Sequence, residues 1–119
     1  MQPLRKVEQF LKRFDNFKDG EVRSIDVVSP LVMNITLTAQ DVSGSFDWIS
    51  LKLECSGVSD ARLLDNTKLS LLDMSEGISI IESDNKLAIG LGSCYNVQSI
   101  KNSSFFIECA SIKFEENEF

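Results

Sequence analysis

The hydrophobic residues change period at Asp19-Gly20, and that switch constrains the fold more than any other feature of the chain. Before it, Leu4, Val7, Phe10, Leu11 and Phe14 recur at three- and four-residue spacing, and Phe17 continues the stripe. That spacing predicts one amphipathic helix over 4–17, with Arg5, Lys6, Gln9, Lys12 and Arg13 on its other face. Pro3 suits a first turn, where a missing N–H costs little. Asn16 and Asp19-Gly20 supply stop and turn signals. A basic amphipathic helix can also lie on a membrane, but this one is short, and three phenylalanines on one stripe are better used against a sheet.

After Gly20 the period is two. Segment 21–28 is rich in β-formers and ends at Ser29-Pro30. Segment 31–39 alternates Leu31, Met33, Ile35, Leu37 and Ala39 with Asn34, Thr36 and Thr38. After a turn cluster at 41–45, segment 46–55 alternates again, with Ile49, Leu51, Leu53 and Cys55 inward. Short strands are expected at 58–64, 68–74 and 78–83. Asp84-Asn85 makes a hairpin turn into 86–91. Segment 92–104, rich in Gly, Ser and Asn, reads as a long loop. The last strand, 105–114, is apolar on both faces, as for a central strand covered on two sides, one of them by the N-terminal helix. Residues 115–119 read as a solvated acidic tail. The expected fold is one α+β domain, mainly antiparallel, with the helix packed on a seven- to eight-stranded sheet or sandwich. No repeat or linker divides the 119 residues, a common length for one domain.

Chemistry is bounded mostly by what is missing. There is no histidine, which removes Ser-His-Asp and Cys-His catalysis and every histidine metal site. No phosphate-binding glycine motif is present; Gly90-Leu91-Gly92 is a bare GxG with no helix expected after it. The carboxylates are scattered, with nothing to mark two of them as a hydrolytic pair. Asp41 and Asp47 flank Gly44 but lack the spacing of a calcium loop, so they read as a hairpin. Cys55, Cys94 and Cys109 are odd in number and form no CxxC pair, as expected of buried, reduced thiols. No cofactor and no catalytic activity are therefore expected. With no secretory signal or apolar run of membrane-spanning length, a cytoplasmic location is expected.

The net charge of −6 is unevenly spread: residues 1–23 carry +2 and residues 24–119 carry −8. Such a β-body repels phosphate and would attract a basic protein partner, speeding their encounter; nucleic acid and membrane are not expected as partners. Solubility alone also accounts for the charge. Trp48 stands out, because alternation puts it with Phe46, Ser50, Lys52 and Glu54, opposite the apolar face. A tryptophan on a polar face is either a partner anchor or a residue covered by the helix or a loop. Trp48, with Asp41 and Asp47 as the acidic residues around the Gly44 turn, forms the candidate partner-binding group.

From residue 17 onward the chain resembles a family of small bacterial immunity proteins that accompany polymorphic toxins. The resemblance rests on Phe17-Lys-Asp-Gly-Glu-Val-Arg-Ser-Ile25 (F-x-D-G-x-V-x-S-I), the Ile35-Thr-Leu37 strand, Trp48 to Leu53 with Gly57-Val58, Arg62-Leu63 with Asp65, and the closing strand Phe106 to Phe114. It covers most of the chain; residues 89–104 are longer and more polar than its pattern. It implies a stoichiometric toxin inhibitor without a cofactor, in which the motif residues serve the fold. A scaffolding module for another protein and a carrier of a small ligand inside a curled sheet are the alternatives.

Overall fold

The computed structural model describes all residues from Met1 to Phe119. Its helical start is shorter than the apolar stripe. Gln2–Pro3 forms a short strand, β1, and Leu4 N–H donates to the Ile112 carbonyl at 2.8 Å. Sheet pairing thus claims the residues before α1, which runs Val7–Arg13. After Phe14 the chain turns through Asp15, Asn16 and Phe17 at φ of 51°, 55° and 61°. Asp and Asn tolerate that left-handed conformation; a phenylalanine rarely does. Phe17 is held there by complete burial, with its ring 5.5 Å from Phe14 and 5.9 Å from Phe10. Packing overrides local preference here.

Strands β2 (Glu21–Ser29), β3 (Val32–Gln40) and β4 (Trp48–Ser56) then pair antiparallel in turn. Period-two patterning fixes which face is buried: Met33, Ile35, Leu37 and Ala39 of β3 and Leu51, Leu53 and Cys55 of β4 enter the core. Strand 58–64 shrinks to β5, Asp60–Arg62. Segment 68–74, expected as a strand, is a 3-10 helix at Asn66–Leu71, because the Asp65 carboxylate caps it by accepting from Thr67 N–H at 2.9 Å. Its Asn66 Oδ1 accepts from Ile25 N–H at 3.0 Å, covering part of the β2 edge. The hairpin β6 (Ile78–Ser83) to β7 (Lys86–Leu91) falls where expected, with Asp84 and Asn85 both at positive φ.

Segment 92–104 is not all loop. Asn96 accepts from Ser99 N–H at 2.8 Å and starts α2, Val97–Lys101. Ile100 of α2, fully buried, packs with Ala88 and Phe106 in a small second core. The two-faced strand 105–114 is thus covered from both sides, by α2 at Phe106 and by α1 through Phe10 on Phe114. That strand also breaks at Ala110 into β8 (Phe106–Cys109) and β9 (Ser111–Glu118), which belong to different sheets. The supposed tail is the end of β9, paired with β4 as far as Ile49↔Glu118. Lys52 opposite Glu115 and the Arg13–Glu116 ion pair offset its acidity.

The result is nine strands in two sheets, ordered β1-β9-β4-β3-β2 and β5-β8-β7-β6, not one sheet of seven or eight. The sheets are continuous at a corner. β4 passes into β5 at Gly57 and β8 into β9 at Ala110, so one bent strand pair serves both layers. Ile78, Ile80, Ile89 and Ile107 share one core with the inner faces of β3 and β4. α1 closes the sandwich, with Phe10 4.9 Å from Phe114 and Phe14 almost fully buried.

Candidate docking surface

The 41–47 loop is closed by its own backbone. Asp41 N–H donates to the Asp47 carbonyl at 2.9 Å, and Phe46 N–H donates to the Asp41 carbonyl at 3.0 Å. Gln40 Nε2 donates to the Phe46 carbonyl at 2.9 Å, and Phe46 sits at φ 62°. This closure presents the Phe46 ring outward, 59 % exposed, beside the start of β4.

Register places the Trp48 side chain on the outer face of the five-stranded sheet, opposite Leu51 and Leu53. α1 packs against the other face, so it does not cover Trp48, which remains 39 % exposed. The only ring stacked near it is Phe119, with centroids 6.3 Å apart. The Arg23 guanidinium lies 4.7 Å from the Phe119 centroid, joining β2 to this aromatic group across the sheet. Phe119 was hidden from sequence reasoning because residues 115–119 read as solvated. The parity it shares with Trp48 becomes visible only in the β4–β9 register.

The two aspartates separate. Asp47 is exposed beside Phe46 and Trp48, and its carboxylate accepts from Ser45 Oγ at 2.5 Å. Asp41 turns toward α1: Arg13 Nη2 and Nε reach its Oδ2 at 2.9 and 3.2 Å, and Arg13 also pairs with Glu116. The hydrogen bond from Arg13 holds the Asp41 carboxyl below its ordinary range, and the same bond raises the Arg13 guanidinium. Asp41 thus ties α1 to the sheet and is not a mobile carboxylate of the turn. Trp48, Phe46, Phe119 and Asp47 form the surface group; Asp41 stands behind it.

No group of three His, Cys, Asp or Glu side chains converges anywhere. Gly90, half of the GxG, lies under α2, where an added Cβ would meet Ile100 Cγ2 and Ser103 Oγ at 2.9 Å. The Cys55 thiol is pushed above its ordinary range by its hydrogen bond to Cys109 and by burial. Burial also raises Cys94, against a lowering contact with Ser79. Neither thiol is poised as a nucleophile. No helix is long and apolar enough to cross a membrane. Compared with protein-family models, with curated proteins and with solved structures, the chain gives no match.

Proposed function

We propose that this chain is a non-catalytic protein-binding domain, acting as an immunity-type inhibitor that neutralises a toxin in the bacterial cytoplasm. The observation that carries the reading is the exposed aromatic pair Trp48 and Phe119 on the outer sheet face, with exposed Phe46 and Asp47 in the loop that leads into Trp48. Aromatics are costly to leave in water and are the residues that anchor protein interfaces. The −8 of residues 24–119 favours a basic partner, and the F-x-D-G-x-V-x-S-I element supports an immunity role. In the fold the motif residues are structural: Phe17, Val22 and Ile25 are buried, and Gly20 packs on the Thr38 carbonyl. A ligand carrier is less favoured, since the sandwich interior is filled by fully buried Ile35, Leu37, Leu51, Leu53 and Ile89.

The test is neutralisation. Any toxin-like gene found adjacent to its own is co-expressed with the protein, and survival and complex affinity are measured. Wild type is expected to protect. Trp48→Ala is expected to weaken the complex by about 2 kcal/mol or more, and Asp47→Asn to slow association and flatten its salt dependence. Protection and affinity unchanged in a folded Trp48→Ala, Asp47→Asn protein would remove this surface from the reading. Binding to another protein without protection would favour the scaffolding alternative.

A further inference from the structure

A groove beside α1 carries charge opposite in sign to the rest of the chain. It is an open groove of about 620 Å³ between β1, α1 and β9, over a floor of Leu4, Phe10 and Phe114. Its walls hold Arg5, Lys6, Lys12 and Arg13, and no carboxylate lines it. Arg13 is already committed to Asp41 and Glu116. Arg5, Lys6 and Lys12 are exposed, and none has an acidic group within ion-pair distance. Glu8 and Glu82 line a smaller cleft with Arg5 and Lys6, and Glu82 also lines one with Pro3, Leu4 and Arg5, but neither carboxylate lines this groove.

Unpaired like charges held around an apolar floor repel one another and gain nothing from the floor in the free protein. A partner combining carboxylates with an apolar side chain would relieve both. We propose that this groove binds an acidic, extended segment of another protein, seating one aliphatic or aromatic side chain on Phe10 and Phe114 between carboxylates that meet Arg5 and Lys6 at one end and Lys12 at the other. The seven residues of α1 rise by roughly 10 Å, which an extended chain covers in about three residues. The segment therefore carries acidic residues about three positions apart, flanking the apolar anchor. A lone phosphate would meet the cations but leave the floor empty. This site is independent of the Trp48 surface and of the toxin reading.

The test uses the full chain and a labelled, end-blocked peptide, Glu-Asp-Leu-Phe-Asp-Glu, followed by fluorescence anisotropy at low salt. Saturable one-to-one binding is expected. Lys6→Glu with Lys12→Glu, both exposed and checked for folding by circular dichroism, is expected to weaken it at least about tenfold. Replacing Leu-Phe in the peptide by Ser-Ser is expected to cost about tenfold as well. Lys68→Glu, on the distant 3-10 helix, and Trp48→Ala are expected to leave it unchanged. The proposal is overturned if the Ser-Ser peptide binds equally, if the double variant binds as wild type does, or if nothing saturates. It is also overturned if inorganic phosphate or phosphatidylserine vesicles bind with the same dependence on Lys6 and Lys12 while the peptide does not compete.

Discussion

Gly57 crosses Ala110 so closely that a Cβ on Gly57 would stand 2.8 Å from the Ala110 methyl. Around this crossing Ala110 N–H donates to the Ser56 and Gly57 carbonyls at 3.0 and 3.2 Å. Gly57 has φ +69°, so alanine there meets both a clash and a left-handed backbone. Gly57→Ala is expected to lose about 2 kcal/mol or more in urea denaturation. Adding Ala110→Gly should return the part due to the clash and leave about 1–2 kcal/mol for the backbone. No recovery in the double variant would mean that the methyl contact does not set the corner.

The aromatic cluster under α1 yields the largest single-site effect. Phe14→Ala, at a side chain 1 % exposed and 5.2 Å from Phe10, is expected to cost about 3–5 kcal/mol. Leu71→Ala, at a side chain 81 % exposed, should stay within about 0.5 kcal/mol. A loss below about 1 kcal/mol at Phe14 would mean that α1 does not close the sandwich.

The Arg13–Asp41 pair makes stability depend on acid. The folded pKa of Asp41 is depressed, chiefly by the hydrogen bond from Arg13. Its stabilisation is therefore fully present above the ordinary carboxylate pKa and is lost as pH falls through the lowered folded value. Asp41→Asn is expected to cost about 1 kcal/mol at neutral pH, as for a partly exposed pair, and to remove part of the acid dependence of the denaturation midpoint. An identical acid profile in the variant would show that the pair contributes nothing net.

Thiol reactivity should divide the cysteines. Cys55 and Cys109 are fully buried where the two sheets meet, whereas Cys94 is half-buried at the rim of a cavity beside Ser79. A thiol reagent is expected to label Cys94 first and slowly, because burial raises its pKa, and to reach Cys55 and Cys109 only on unfolding. Rapid labelling of all three cysteines in native buffer would contradict the packed corner.

Much of this architecture follows from short-range rules. The buried faces of β3 and β4 obey period-two alternation, and the β6–β7 hairpin obeys the turn preference of Asp84-Asn85. The helical stripe supplied the correct buried phenylalanines even though α1 is half as long as the stripe. Of the candidate site, Trp48 and Asp47 were legible as an outward aromatic and a turn carboxylate, because parity and turn position are local properties.

What the tertiary structure decided are the places where distant residues compete. Phe105 to Phe114 reads as one strand, but the close crossing of Gly57 and Ala110 bends it between two sheets. The 68–74 segment reads as a strand, but a cap from Asp65 and packing beside β2 make Asn66–Leu71 a 3-10 helix. Asp41 and Asp47 look equivalent in sequence; Arg13, 28 positions before Asp41, separates them. Glu115 to Glu118 look solvated until β4 pairs with them and brings Phe119 beside Trp48. Local spacing fixes which side of an element is apolar, since that depends only on backbone period. Which element covers that side, and which charge finds a partner, depends on contacts between residues far apart in the chain, and no window of neighbouring residues contains them.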